Sequence, residues 1–93
     1  MSQAFGQWIC DEVLDELHRA GQLQKAGKFP KTIEMCNDFE ALAVLVEEVG
    51  EVSHEVNETI GRVPDTAYKM RLRTELIQVA AMAVGWVRKL DYE

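Results

Sequence analysis

The stretch at residues 76–87, Leu76-Ile77-Gln78-Val79-Ala80-Ala81-Met82-Ala83-Val84-Gly85-Trp86-Val87, most constrains what this chain can fold into. Written as a helix it is apolar nearly all round, and such a helix has to be buried on most of its sides. Its twelve residues are too few to span a bilayer, so protein rather than lipid must cover it. The 93 residues make a single domain, 1–93, with room for three main helices. No strand-like alternation, internal repeat or low-complexity segment occurs, so the expected fold class is all-α. Three helices from one chain cannot easily enclose the run. The expectation is therefore a helical bundle completed by oligomerisation, as a homodimer or tetramer with four-helix-bundle packing. Ala80, Ala81, Ala83 and Gly85 would let neighbouring helices approach closely. Hydrophobic residues form 47% of the chain, enough to leave apolar surface for a second subunit.

The rest of the chain supplies two further helices. Residues 2 to about 23 carry Phe5, Ile9, Val13 and Leu17 at four-residue spacing, with Trp8 and Leu14 widening the stripe. Asp11, Glu12, Asp15 and Glu16 fill the other face, Ser2 is the candidate N-cap, and Gly21 suggests the end. Residues 24–36 read as a basic loop with Lys25, Lys28 and Lys31. Asn37, followed three residues later by Glu40, is a capping-box signature that starts the second helix. There Leu42, Leu45, Val46, Val49, Val52 and Val56 form an apolar stripe. Glu47, Glu51, Glu55 and Glu58 fall opposite it, with Glu48 near the boundary. Residues 61–65 read as a turn, with Gly61 as C-cap and Pro64 blocking continuation. Asp65 or Thr66 then caps a third helix running to about Leu90, basic at first through Lys69, Arg71 and Arg73.

The acidic stretch on the second helix needs a cause. Between residues 32 and 61 there are eight acidic side chains and no Lys or Arg. Like charges three and four apart on one helix face repel by a few tenths of a kcal/mol per pair, roughly. Either this face is simply solvated or it serves a divalent cation. The third helix offers a partner: Glu75 is the first polar residue before the apolar run, and Gln78 is the only polar one inside it. If the two helices pack antiparallel, Glu48-x-x-Glu51 and Glu75-x-x-Gln78 face each other. Such an oxygen-rich set suits Mg²⁺ or Mn²⁺.

These two motifs, Glu47-Glu48-Val49-Gly50-Glu51-Val52 and Arg73-Thr74-Glu75-Leu76-Ile77-Gln78-Val79-Ala80-Ala81, resemble the MazG-like nucleoside triphosphate pyrophosphohydrolases. That all-α family pairs a Glu-x-x-Glu on one helix with a Glu-x-x-Asp on the next to bind Mg²⁺. Glu48, Glu51 and Glu75 match three of the acids, and Gln78 stands where the Asp is expected. The resemblance spans residues 39 to 90 and, more loosely, the first helix. It implies hydrolysis of a nucleoside triphosphate between its α and β phosphorus atoms, giving nucleoside monophosphate and pyrophosphate. Mg²⁺ would clamp the phosphate oxygens and activate the attacking water. It also implies Glu48, Glu51, Glu75 and Gln78 as the metal set, and Glu47 as a second ligand or a base that orients the water. Lys25, Lys28, Lys69, Arg71 and Arg73 are candidates for the outer phosphates. Trp8 and Phe5 are either base-stacking groups or core.

Other readings stay open beside these. Gln78 is either a ligand or a hydrogen-bonded core residue. Arg71, four residues before Glu75, is either a phosphate group or half of a surface ion pair. Trp86 and Met82 read as core or interface, and His18 and His54 as bystanders. The neutral amide of Gln78 brings no charge to a cation, so the alternative is a catalytically degenerate oligomeric module that binds nucleotides or proteins. The net charge of −6 argues against a nucleic-acid polymer as partner, which needs a basic surface. It leaves room for a small phosphorylated ligand beside a bound cation. Cys10 and Cys36 lack metal-site or disulfide spacing and fit reduced thiols. The start of the chain carries no secretory pattern. The expected setting is cytoplasmic, with no membrane contact.

Overall fold

The computed structural model describes residues 3–28 and 31–93, with side chains in the first helix from residue 6 onward. The proposed cap Ser2 and the side chain of Phe5 lie outside the described residues. The chain forms α1 (Gln3–Lys25), a short 3-10 turn (Ile33–Met35), α2 (Asp38–Asn57) and α3 (Thr66–Asp91). The described residues are helical with no strand, in agreement with the all-α expectation. No helix among them is long and apolar enough to cross a membrane.

Local chemistry sets the helix ends. Asn37 Oδ1 accepts the Glu40 amide at 2.8 Å, and the Asn37 amide donates back to Glu40 Oε1 at 3.0 Å, which closes the capping box. Asp65 caps α3 by accepting the Tyr68 amide at 2.8 Å. The end of α1 differs from the expectation. The helix passes through Gly21 and stops at Gly27, which takes the left-handed φ of 76°. There Lys28 N donates to Leu23 O and Gly27 N to Gln24 O, the paired bonds of a Schellman motif. Only a positive-φ glycine satisfies those carbonyls without strain, and Gly21 has no such geometry. Gly61, at φ 78°, lies in the connecting turn beyond the last turn of α2.

Helix α3 is the centre of the molecule. It packs on α1, on α2 and on the 3-10 turn, while α1 and α2 make no close backbone approach to each other. The core gathers Val13 and Leu17 of α1, Ile33 and Cys36 of the connecting segment, Ala41 of α2 and Ala81 of α3. Residues 24–36 are thus not a bare loop, because two of their apolar side chains complete the core. Gly85 is needed where α3 meets them: a Cβ there would fall on Ile33 Cγ2 and lie 3.0 Å from Leu17 Cδ2.

The orientation of α2 also differs from the expectation. Its inner line runs through Ala41, Val44, Glu48, Val52 and Glu55, all buried or half-buried. Leu42, Val46, Val49 and Val56 of the expected core stripe face outward instead. The helix is turned so that Glu48 and Glu55, rather than its most apolar face, look toward α3.

Candidate metal centre

Antiparallel packing of α2 on α3 brings Glu48, Glu51 and Glu75 together, with one oxygen of each within 4.8 Å of the others. Glu48 and Glu51 come from neighbouring turns of α2, and Glu75 meets them from α3. Glu48 and Glu75 are half-buried and Glu51 is exposed. One oxygen on each of the two half-buried groups, Glu48 Oε2 and Glu75 Oε2, is cut off from solvent and has no hydrogen-bond partner among the described residues. An unpartnered buried polar atom costs about 1–3 kcal/mol, and more when charged.

The electrostatics follow from that crowding. Burial pushes the Glu75 carboxyl up to about 7. A hydrogen bond with Glu51 and the charges of Glu51, Glu48 and Glu55 act in the same direction. Burial likewise raises Glu48, helped by Glu51, Glu47 and Glu16 and opposed by Arg19. A hard divalent cation answers both problems. Such an ion would take the orphaned oxygens as ligands and offset the repulsion. The residues present therefore fit such an ion.

A cavity of about 460 Å³ opens beside the cluster, walled by all three helices and the connecting segment. Glu48 belongs to both the cluster and the cavity wall. Glu47 and Gln78 line the cavity too, over a floor that includes Ala20, Ile33, Val44 and Met82. Two cations stand in its wall, Arg19 and Lys31. Arg19 is clamped by Glu16, and Lys31 Nζ lies 2.8 Å from Glu40 Oε2.

The basic residues picked out from the sequence are placed elsewhere. Arg73 makes a two-pronged pair with Glu12, at 2.6 and 2.7 Å, and its guanidinium lies 5.4 Å from the ring centre of Trp8. Trp8, largely exposed, thus supports Arg73 rather than lining the cavity. Arg71 pairs with Glu55 at 3.1 Å across the helix interface, not with Glu75 four residues along its own helix. Lys25 lines a second cavity of about 590 Å³ on the far side of the 3-10 turn. Lys28 and Lys69 are exposed and line neither cavity. Arg19 was the cation that sequence reasoning passed over. Its signal was present: it is the only Lys or Arg in the first 24 residues, three after Glu16. No protein-family model matches the chain, and no curated protein or solved structure matches it.

Proposed function

We propose that this protein is a divalent-cation-dependent nucleoside triphosphate pyrophosphohydrolase. The observation that carries the reading is the convergence of Glu48, Glu51 and Glu75, with two orphaned buried oxygens, at the edge of a cavity large enough for a nucleotide. Those three carboxylates would hold Mg²⁺ or Mn²⁺, which supplies Lewis-acid polarisation of phosphate oxygens when bound. Glu47 follows as the base. It is exposed, adjacent in sequence to Glu48 and in the wall of the same cavity. It takes a proton from the water whose oxygen bonds to the α-phosphorus as the bond to the β-side bridging oxygen breaks and pyrophosphate leaves. Arg19 and Lys31 offset the charge of the triphosphate from the cavity wall.

The protein acts as a homo-oligomer, dimer or tetramer. The outward face of α2 supports this, since Phe39, Leu42, Val46, Val49 and Val56 repeat at spacings of three and four or their sum and are all exposed. Leu76, Val87 and Leu90 add exposed apolar surface on α3.

The test is release of pyrophosphate from a panel of nucleoside triphosphates with Mg²⁺ or Mn²⁺. Turnover abolished in Glu51→Ala, with helical content unchanged, is the expected result. Folded protein that binds Mn²⁺ and nucleotide but turns over none of the panel would instead be the degenerate binding module.

A further inference from the structure

We infer that Gln78 reads the sugar of the bound nucleotide and is not a ligand of the cation. The inference rests on the pyrophosphohydrolase reading and adds a specificity residue to it. Gln78 is the only polar residue of the apolar run at 76–87. It is half-buried and lines the 460 Å³ cavity, so its amide has not been sealed into the core. Two other polar side chains of α3 are satisfied within the chain: Thr74 Oγ1 donates to Met70 O at 3.0 Å, and Trp86 Nε1 to Asp38 Oδ1 at 3.0 Å. Gln78 makes no such bond to a described residue. Its amide atoms are not sealed from solvent, so they stay open to the cavity, where a ligand's groups can take the place of water.

Position then selects which part of the ligand it meets. Gln78 lies three residues beyond Glu75, about 4.5 Å further along α3, and Met82 lies a further turn on. A triphosphate anchored at Glu48 has its phosphates at the carboxylates. Its sugar follows one phosphoester link away, beside Gln78, and its base reaches the apolar floor of Val44, Ile33 and Met82. The three carboxylates converge within 4.8 Å of one another, and a neutral amide adds no charge with which to hold a hard cation. One amide offers both a donor and an acceptor, which suits a sugar hydroxyl in either role.

The experiment compares kcat/KM for matched ribo-, 2′-deoxy- and 2′,3′-dideoxynucleoside triphosphates in wild type, Gln78→Leu and Gln78→Asn. Mn²⁺ affinity is measured in each protein without nucleotide. Wild type should disfavour the sugar lacking the recognised hydroxyl by roughly tenfold to a hundredfold, the range of one lost recognition contact. Gln78→Leu should collapse that ratio while its Mn²⁺ affinity and base preference stay within about twofold of wild type, well inside that range. Gln78→Asn keeps the amide on a shorter stem, should lose part of the ratio, and serves if the leucine variant does not fold. Unchanged sugar discrimination in the variants, or none in wild type, overturns the inference and leaves the hydrolase reading standing. A fall in Mn²⁺ affinity makes Gln78 a metal ligand and also overturns it. Wild type that neither binds nor hydrolyses any triphosphate removes the hydrolase reading itself, and with it this inference, before any variant is needed.

Discussion

Glu75 links the stability of this protein to its chemistry. Its carboxyl titrates at about 7 in the folded chain, against an ordinary value of 4.5. Between those values the folded state keeps a proton that the unfolded chain has released. Stability therefore falls as pH rises through this window; the advantage is full below the lower value and gone above the upper one. Glu48, raised by burial and then by its acidic neighbours, adds to the effect with the same sign. Without divalent cations the melting temperature should decline from pH 5 to pH 8, and scanning calorimetry across that range reads it directly. Added Mg²⁺ or Mn²⁺ competes with the proton, so its stabilisation should be larger at pH 8 than at pH 5. Glu75→Gln should flatten the pH dependence, raise the melting temperature of metal-free protein at pH 8, and remove most of the response to Mn²⁺. A Glu75→Gln protein that melts earlier at pH 8 than wild type would show that the carboxylates do not repel as argued.

At the scale of single elements, the helix ends were legible because they are written locally. Asn37 and Glu40 stand three apart and close a capping box on themselves, and Asp65 reaches the Tyr68 amide in the same way. Asn37→Ala should cost about 1 kcal/mol, seen as a shift in denaturation midpoint. It removes a group that also positions Glu40 against Lys31. The exit of α1 was misplaced at Gly21 because several glycines look alike in sequence; only backbone geometry tells which one takes positive φ. Gly85 has the opposite character. Nothing local requires a glycine in mid-helix, yet Ile33 and Leu17 occupy the space a methyl group would need. Gly85→Ala should destabilise by roughly 1–3 kcal/mol through overpacking, although alanine is the better helix former. A neutral or stabilising result in chemical denaturation would mean that Ile33 can move aside at little cost.

Over the whole molecule, the single chain is poorly enclosed. Its radius of gyration is 14.8 Å, whereas a compact chain of this length would have about 12 Å. Phe39, Ile60 and Val63 are each at least 80% exposed, in a protein whose fully covered side chains are small. The outward seam of α2, made of Phe39, Leu42, Val46, Val49, Ser53 and Val56, is uncharged, so a second α2 could meet it without repulsion along that line. Val46→Glu together with Val49→Glu should dissociate the assembly and lower the melting temperature by several degrees. Sedimentation velocity at micromolar concentration checks this; a wild-type monomer would contradict the use made of this face.

The sequence by itself determined the helical class, the number of main helices, two of the caps and the trio Glu48, Glu51 and Glu75. Each depends on periodicity or on contacts a few residues apart, and the trio requires only that a hairpin fold back antiparallel. The tertiary structure alone decided which face of α2 turns inward. The most apolar stripe was the natural choice for a core, but α3 meets α2 along the line of Ala41, Val44 and Glu48 and leaves Leu42, Val46, Val49 and Val56 outside, with only Leu45 and Val52 of the stripe half-buried. It alone seated Ile33 and Cys36 in the core, set Arg73 against Glu12 across 61 residues of chain, and placed Arg19 in the cavity wall. Such pairings join segments far apart in the chain, and burial can promote or retire a charged residue in ways its neighbours in sequence do not record.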